Sequence, residues 1–250
     1  MSQITDSSLK ALVISLPESV ERRSLMQHNM SKLAISWKYI DACKCDADSD
    51  YVVDYSKQII QFGRKLTPGE IGVFKSHMLA LTEFSKDPAL TWLLVLEDDV
   101  WVDPDFDFYS LTVLLEKRKI GYLRLFCRQW MGGKHICWFN ERQIVRLNTD
   151  PYGMQGYLIS REAAEKFRKF VRSIVRPIDD EIGRFWEHGL TIYMVFPFPI
   201  IERSIVSTLL QERIELNRTK NLYSLRRWIV KIRDYVKKRT YLVSHSFSIK

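Results

Sequence analysis

Two unbroken apolar runs, ALVISL at 11 to 16 and TWLLVL at 91 to 96, constrain this chain more than any other feature. A strand with one face in water alternates apolar and polar residues, whereas runs like these read as strands buried on both faces. Strands of that kind need a helical layer on each side of the sheet. The intervening sequence supplies helices: residues 18 to 33 carry Val20, Leu25, Met26, Met30 and Leu33 roughly on one face, and residues 37 to 40 resume as a strand. Strand, helix, strand opens an α/β domain.

The clearest helix start is Thr67-Pro68-Gly69-Glu70. Thr is a good N-cap, Pro fits the first helical position, and Glu three residues after the cap completes a capping box. This helix is expected to run to about Lys86, where Asp87-Pro88 ends it. Further strands are expected at 121 to 127, 143 to 147, 157 to 160 and 191 to 196. Helices are expected from Asp103 or Asp105, from a Ser160 cap through Val171, and from Asp179 to His188, where Gly189 stops the last. Residues 43 to 65 read as an irregular loop. The alternation predicts a mostly parallel sheet, covered on both faces, with ligands at the carboxyl ends of its strands.

At one such end the run Leu93 to Leu96 meets three consecutive carboxylates, Glu97, Asp98 and Asp99. Like charges at the end of a buried strand cost of the order of several kcal/mol unless something positive meets them. Carboxylates are hard oxygen ligands, and one or two can hold Mg2+ or Mn2+ while leaving positions open for phosphates. A solvated acidic turn is the plainer alternative. Glu70 and His77 are seven residues apart and so share a helix face, with Gly69, Gly72 and Ser76 small enough for close approach of a ligand or another backbone. By itself Glu70 can simply complete its cap, and a single helix histidine is more often structural. Arg22-Arg23, early in the first helix, suits a phosphate or a carboxylate, and equally a solvated charge pair. Asp179-Asp180-Glu181 can supply a general base, or merely complement a helix dipole.

The charge is unevenly placed. Residues 217 to 250 hold ten Lys and Arg against Asp234 alone, more than the whole chain's net charge of +8, so the first 216 residues are close to neutral. We therefore divide the chain into a domain at 1–216 and a basic segment at 217–250. In that segment Leu225, Trp228, Ile229, Ile232, Tyr235 and Val236 recur at helical spacing. A basic amphipathic helix with Trp on its apolar side suits an anionic bilayer surface, where each Lys or Arg adds about 1 kcal/mol; packing of that stripe on the domain is the alternative. With no nucleic-acid motif beside it, no nucleic-acid partner is expected. Cys43, Cys45, Cys127 and Cys137 lack zinc spacing and read as free thiols of a reducing compartment. No apolar run is long enough to span a membrane, and the N-terminal run lacks the marks of a signal peptide. A cytoplasmic protein is the expectation.

Several of these segments together resemble glycosyltransferase family 25, the bacterial lipopolysaccharide or lipooligosaccharide galactosyltransferases. They are V-I-S-L-P-x-S-x-E-R-R at 13 to 23, Y-I-D-A at 39 to 42, L-T-P-G-E-I-G-V-F-K-S-H at 66 to 77, L-E-D-D-V at 96 to 100, G-x-x-G-Y-L-I-S-R-x-A-A at 153 to 164 and I-D-D at 178 to 180. The resemblance covers roughly residues 9 to 205. It implies a GT-A-like nucleotide-sugar fold followed by the basic C-terminal helix. It further implies that Glu97, Asp98 and Asp99 act as the metal and nucleotide motif, with Glu97 and Asp99 on Mn2+ or Mg2+. Ser15, Leu16 and Arg22 would border the nucleotide, and Asp41 and Ala42 would lie near base or ribose. Glu70, Ser76 and His77 would line the donor side, and Gly153 to Tyr157, with Gln155 and Gly156, the sugar or acceptor side.

Members of this type invert at the sugar carbon, which makes Asp179 or Asp180 the candidate base. The resulting expectation is a metal-dependent inverting hexosyltransferase. It would use a UDP-sugar, galactose before glucose, on a lipid-linked lipooligosaccharide acceptor at the inner face of the cytoplasmic membrane. A metal-dependent phosphohydrolase and a noncatalytic membrane or nucleic-acid adaptor are the alternatives.

Overall fold

The computed structural model describes residues 8–129, 132–203 and 225–246. Strands β1 (Leu9–Ser15), β2 (Ser36–Asp41), β3 (Val52–Val53), β4 (Trp92–Glu97), β5 (Val100–Val102) and β6 (Tyr122–Arg124) are followed by β7 (Gly133–Phe139), β8 (Arg142–Leu147), β9 (Gly156–Ser160), β10 (Ser173–Ile174), β11 (Tyr193–Phe196) and β12 (Ile200–Glu202). Helices are α1 (Val20–Met30), α2 (Tyr55–Lys57), α3 (Pro68–Ser85), α4 (Phe108–Lys117), α5 (Arg161–Phe170), α6 (Ile178–Ile182), α7 (Phe185–His188) and α8 (Leu225–Ser246).

Eight strands form the central sheet in the order β2-β1-β4-β9-β6-β11-β8-β7. The α/β class is as expected, but parallel pairing holds for β2-β1-β4 and β6-β11, while β9, β8 and β7 pair antiparallel with their neighbours. The apolar runs do lie in the parallel part, where both faces are covered. Leu93 and Val95 of β4 join Phe74, Met78 and Leu81 of α3 and Phe167 of α5 in one core. Trp92, Leu94 and Leu96 join Met26 and Met30 of α1 and Leu111 and Leu115 of α4 in the other. Each such side chain contributes about 1.5–3 kcal/mol by leaving water. Helix, sheet and helix are thus stacked around β4, and register fixes what lies at its end: Ile14 is opposite Glu97, and Ser15 opposite Asp41.

The local signals place several elements. Thr67 Oγ1 accepts from Glu70 N and Glu70 Oε2 from Thr67 N, both at 3.0 Å, completing the capping box of α3. Ser160 accepts from Ala163 N at 3.3 Å and turns β9 directly into α5. Gly156 lets β12 cross over β9, since a Cβ there would sit 2.4 Å from Ile200 Cδ1.

Four expectations are corrected. Helix α4 is capped by Asp107, whose carboxylate accepts from Ser110 N at 2.9 Å, not by Asp103 or Asp105. The single helix expected over 179 to 188 is two, α6 and α7, separated where Gly183 packs against the Asp150 carboxylate. The loop at 43 to 65 contains β3, α2 and a π-helical turn, Gln58–Phe62, ended by left-handed Gly63 and anchored by the buried Gln58 amide on Ile174 C=O and Leu66 N. Val20 and Leu25 of α1 are exposed, because the helix packs through Met26, Asn29 and Met30. Asn29 bonds both Val102 C=O (2.8 Å) and Val102 N (2.7 Å), serving β5 as a neighbouring strand would.

Helix α8 lies against α7 and the π-helical turn. The domain boundary expected at 216 lies outside the described residues. Among the described residues no helix is long and apolar enough to cross a membrane.

Candidate active site

The carboxyl ends of β1 and β4 and the N-terminal half of α3 surround a cavity of about 360 Å3. Ser15, Leu16 and Arg22 form one wall, Ala42 to Cys45 a second, and Gly69, Gly72, Ser76 and His77 a third, with Glu97, Asp98 and Asp99 at the closed end. A smaller cavity of about 80 Å3 adjoins it, lined by Glu70, Gly153, Gln155 and Asp179 among others. Val73, Glu97 and Asp99 line both.

The three carboxylates have different surroundings. Asp98 is met inside the protein: Ser15 Oγ donates to its Oδ2 at 2.6 Å and Arg22 Nη1 lies 3.2 Å from its Oδ1. Glu97 is partly open, with its Oε1 3.6 Å from His77 Nε2. Asp99 has an Oδ1 that is buried without a hydrogen-bond partner. Burial first, then the charges of Glu97, Asp98 and Glu202, push its carboxyl up to about 7. Concentrated negative charge with an orphaned acceptor fits a cation. Among the described residues no group of three or more His, Cys, Asp and Glu is arranged to hold a metal. Glu97 and Asp99 therefore suit an ion that takes one or two carboxylates and completes its shell from water and phosphates, as Mg2+ does.

Several of the residues expected at the site also make contacts within the scaffold. Ser76 Oγ accepts from Cys43 N and donates to Gly72 C=O, both at 2.7 Å, while a Cβ on Gly72 would sit 2.6 Å from Cys43 C=O. The small residues of α3 thus admit a backbone, the loop that walls the large cavity. Arg64 Nη1 and Nη2 clamp the two Glu70 oxygens at 2.7 Å each, so Glu70 walls the small cavity with its charge already paired. His77 is buried, its Nδ1 3.2 Å from the Tyr157 hydroxyl. Tyr157 is a core residue and Gly156 packs under Ile200, and neither lines either of these cavities; of that segment Gly153, Met154 and Gln155 line the small one. Asp41 also lies away from the cavities, paired with Arg23.

Asp179 lines the small cavity and Asp180 does not. Burial, then Asp179 and Asp150, raise the Asp180 carboxyl to about 7. Behind them Arg124, fully buried in β6, donates to Gly153 C=O and lies 3.3 Å from Asp150 Oδ1. Arg128, which lines the small cavity, pairs with Glu202 at 2.7 Å, and Gln155 Nε2 donates to the same carboxylate at 3.1 Å. None of Arg124, Asp150, Arg128 or Glu202 was expected from the sequence. One signal was available: Arg124 interrupts the apolar strand Tyr122 to Leu125, and a guanidinium placed there needs an internal anion.

A sequence model of glycosyltransferase family 25 (LPS biosynthesis protein) matches residues 8–182. The chain belongs to that family. It is 27% identical over 178 residues to the lipooligosaccharide biosynthesis protein lic2B of Haemophilus influenzae, covering 65% of this chain and 63% of that one. It is 24% identical over 204 residues to the lacto-N-neotetraose biosynthesis glycosyltransferase LgtE of Neisseria meningitidis serogroup B, covering 74% and 71%. A Drosophila beta-1,4-galactosyltransferase 7 in complex with manganese, UDP-Gal and xylobiose aligns over 86% of this chain and 82% of its own at 11% identity and a TM-score of 0.37, too distant to assign any residue. The family match ends at Ile182, so it takes in the acidic residues that line both cavities, and none of α8.

Proposed function

We propose that this chain is an inverting glycosyltransferase that moves a hexose, galactose before glucose, from a UDP-sugar to a saccharide acceptor of lipooligosaccharide. One observation carries the reading: Glu97 and Asp99 stand on the wall common to two adjoining cavities. The larger has room for a nucleotide diphosphate, and the smaller opens off it on the side where the sugar and the attacking hydroxyl would meet, which would put the bond to be exchanged beside the carboxylates. Family membership and the similarity to lic2B, a lipooligosaccharide biosynthesis protein, support the acceptor class.

Mn2+ or Mg2+ bound at Glu97 and Asp99 would stabilise the negative charge of the departing UDP. The remaining work belongs to the chain. Arg22 and Ser15 hold Asp98 and so fix the turn that carries Asp99. His77, stacked on Tyr157, orients the open side of Glu97. Asp179 is the base that takes the acceptor hydroxyl proton as the oxygen attacks the anomeric carbon from the side opposite UDP. The reading places the enzyme in the cytoplasm, where nucleotide sugars meet a lipid-linked acceptor.

Calorimetry with UDP-galactose and UDP-glucose, with and without Mn2+, tests this on wild type and Asp99→Ala. Metal-dependent binding of one donor, lost in the variant, is expected. If neither donor binds under any metal condition the transferase reading fails. Phosphate release from simple phosphoesters without an acceptor would instead favour the phosphohydrolase.

A further inference from the structure

An amphipathic helix on a domain normally turns its apolar stripe to the core and its charges to water. In α8 the side facing the domain is mixed: half-buried Val230, and Tyr241 and Leu242 packed on the core, stand among polar contacts. Arg184 forks Asp234 through contacts of 2.7 and 2.9 Å, Lys237 Nζ lies 3.2 Å from Glu187, and Lys238 Nζ sits over the rings of Trp186 and Phe185 at 5.4 and 5.8 Å. Further along, the Tyr241 hydroxyl meets Thr191 Oγ1 at 3.0 Å and Arg146 donates to His245 C=O at 3.1 Å. These residues recur every three or four positions along one side of the helix. The other side carries Trp228, Ile229, Ile232, Tyr235 and Val236, which are 60%, 55%, 42%, 60% and 55% exposed.

A contiguous exposed stripe of two aromatic and three aliphatic side chains marks an interaction surface. Its surroundings select the partner. Residues 225–246 hold seven Lys and Arg against one acid, Asp234, which is shared between Arg184 and Arg233. Arg233 and Lys231 are exposed beside the stripe, and the Arg239 guanidinium lies 5.3 Å over the Tyr235 ring. A second copy of the chain would bring two strongly basic helices together. Nucleic acid would take up the cations and leave the apolar side chains in water. A surface that is apolar below and anionic above accepts both, with long basic side chains reaching up from the buried stripe.

We propose that the outward face of α8 docks on an anionic lipid bilayer and that its inward face is the mounting that holds the domain to it. The mounting fixes orientation as well as attachment. Helix α8 rests on α7, directly after α6 with Asp179, and on the π-helical turn that leads to Arg64 and Glu70. The small cavity is therefore the one whose walls connect to the membrane-facing helix, the side from which a lipid-linked acceptor would arrive. The docking surface rests on the packing of α8; only this last assignment rests on the proposed transferase activity.

The test is co-sedimentation of the full chain with vesicles of phosphatidylcholine alone and of phosphatidylcholine containing phosphatidylglycerol, which requires no sugar substrate. Binding to the anionic vesicles is expected, at least tenfold weaker in the Trp228→Ser/Ile232→Ser double variant, and weakened by raised salt or by Arg233→Gln. Unchanged circular dichroism and unchanged turnover of a short soluble acceptor in the double variant would show that the surface alone was altered. Failure of wild type to bind, equal binding to neutral vesicles, or equal binding of the double variant would overturn the proposal. So would a dimer in size-exclusion chromatography that the double variant dissolves, since the stripe would then belong to a second copy.

Discussion

The turn after β4 and the start of α6 face the same difficulty, several carboxylates crowded beneath the surface, and resolve it differently. After β4 the internal cation is Arg22, which together with Ser15 satisfies Asp98 and leaves Asp99 with an orphaned oxygen. At α6 the internal cations are Arg176, paired with Glu181 at 3.2 Å, and Arg124, which sits behind the cluster on Asp150; both leave Asp180. Each cluster ends with one carboxyl raised to about 7, by burial and then by neighbouring carboxylates. The leftover acid of the first has a second open carboxylate beside it, Glu97, and two cavities in front, a setting that gathers positive charge. The second opens through Asp179 alone and is suited to exchanging a proton. Where a fold places its own cation decides which kind of positive charge the remaining carboxylates ask for.

The largest effect should separate the roles of the two clusters. Asp179→Asn is expected to lower the transfer rate roughly 10²–10⁴-fold while leaving calorimetric donor binding intact. Asp180→Asn should cost far less. If Asp180→Asn proves the more damaging, the proton acceptor lies one residue further into the cluster and the comparison must be redrawn.

A smaller effect is expected from Arg22→Met, which strands Asp98 in a buried site. Removing one partner of such a pair costs about 3 kcal/mol, measurable as a lower unfolding free energy in urea. A loss under about 1 kcal/mol would mean that Asp98 finds water, and that the first cluster has no internal cation worth the name.

The smallest is a pH effect on stability. The Asp180 carboxyl is held at about 7 in the fold against an ordinary 3.8. The native state therefore binds the proton more tightly than the unfolded chain, and stability is lost as pH rises from about 4 to about 7. Asn does not ionise. Asp180→Asn should raise the unfolding free energy more at about pH 8 than at about pH 5, by the order of 1 kcal/mol beneath a ceiling of about 4 kcal/mol. Equal shifts at the two pH values would remove Asp180 from the comparison.

How much of this was legible in the sequence follows the range of the interaction. β4 needed only its own apolar run, and α3 only Thr67 and Glu70 three residues apart. The acidic turn was visible as a cluster, but its division into a satisfied Asp98 and an unsatisfied Asp99 depends on Ser15 and Arg22, 83 and 76 residues distant. The antiparallel half of the sheet was hidden for a related reason: β7 is exposed along most of its length and takes its place from β8, not from an apolar run of its own. For α8 the helical spacing was plain, but its facing was not. Which side turns inward was decided by Arg184 and Glu187, residues of another element.

Glu70 carries a consequence for how this site can change over time. One carboxylate closes the capping box of α3, clamps Arg64 and walls the small cavity. A substitution there alters helix, loop and site together, so the position offers almost no neutral path for drift. Val73, one turn further along and in contact with both cavities, has no such obligations to hydrogen-bonding partners through its side chain. New ligand preferences would be reached more readily through Val73 than through Glu70.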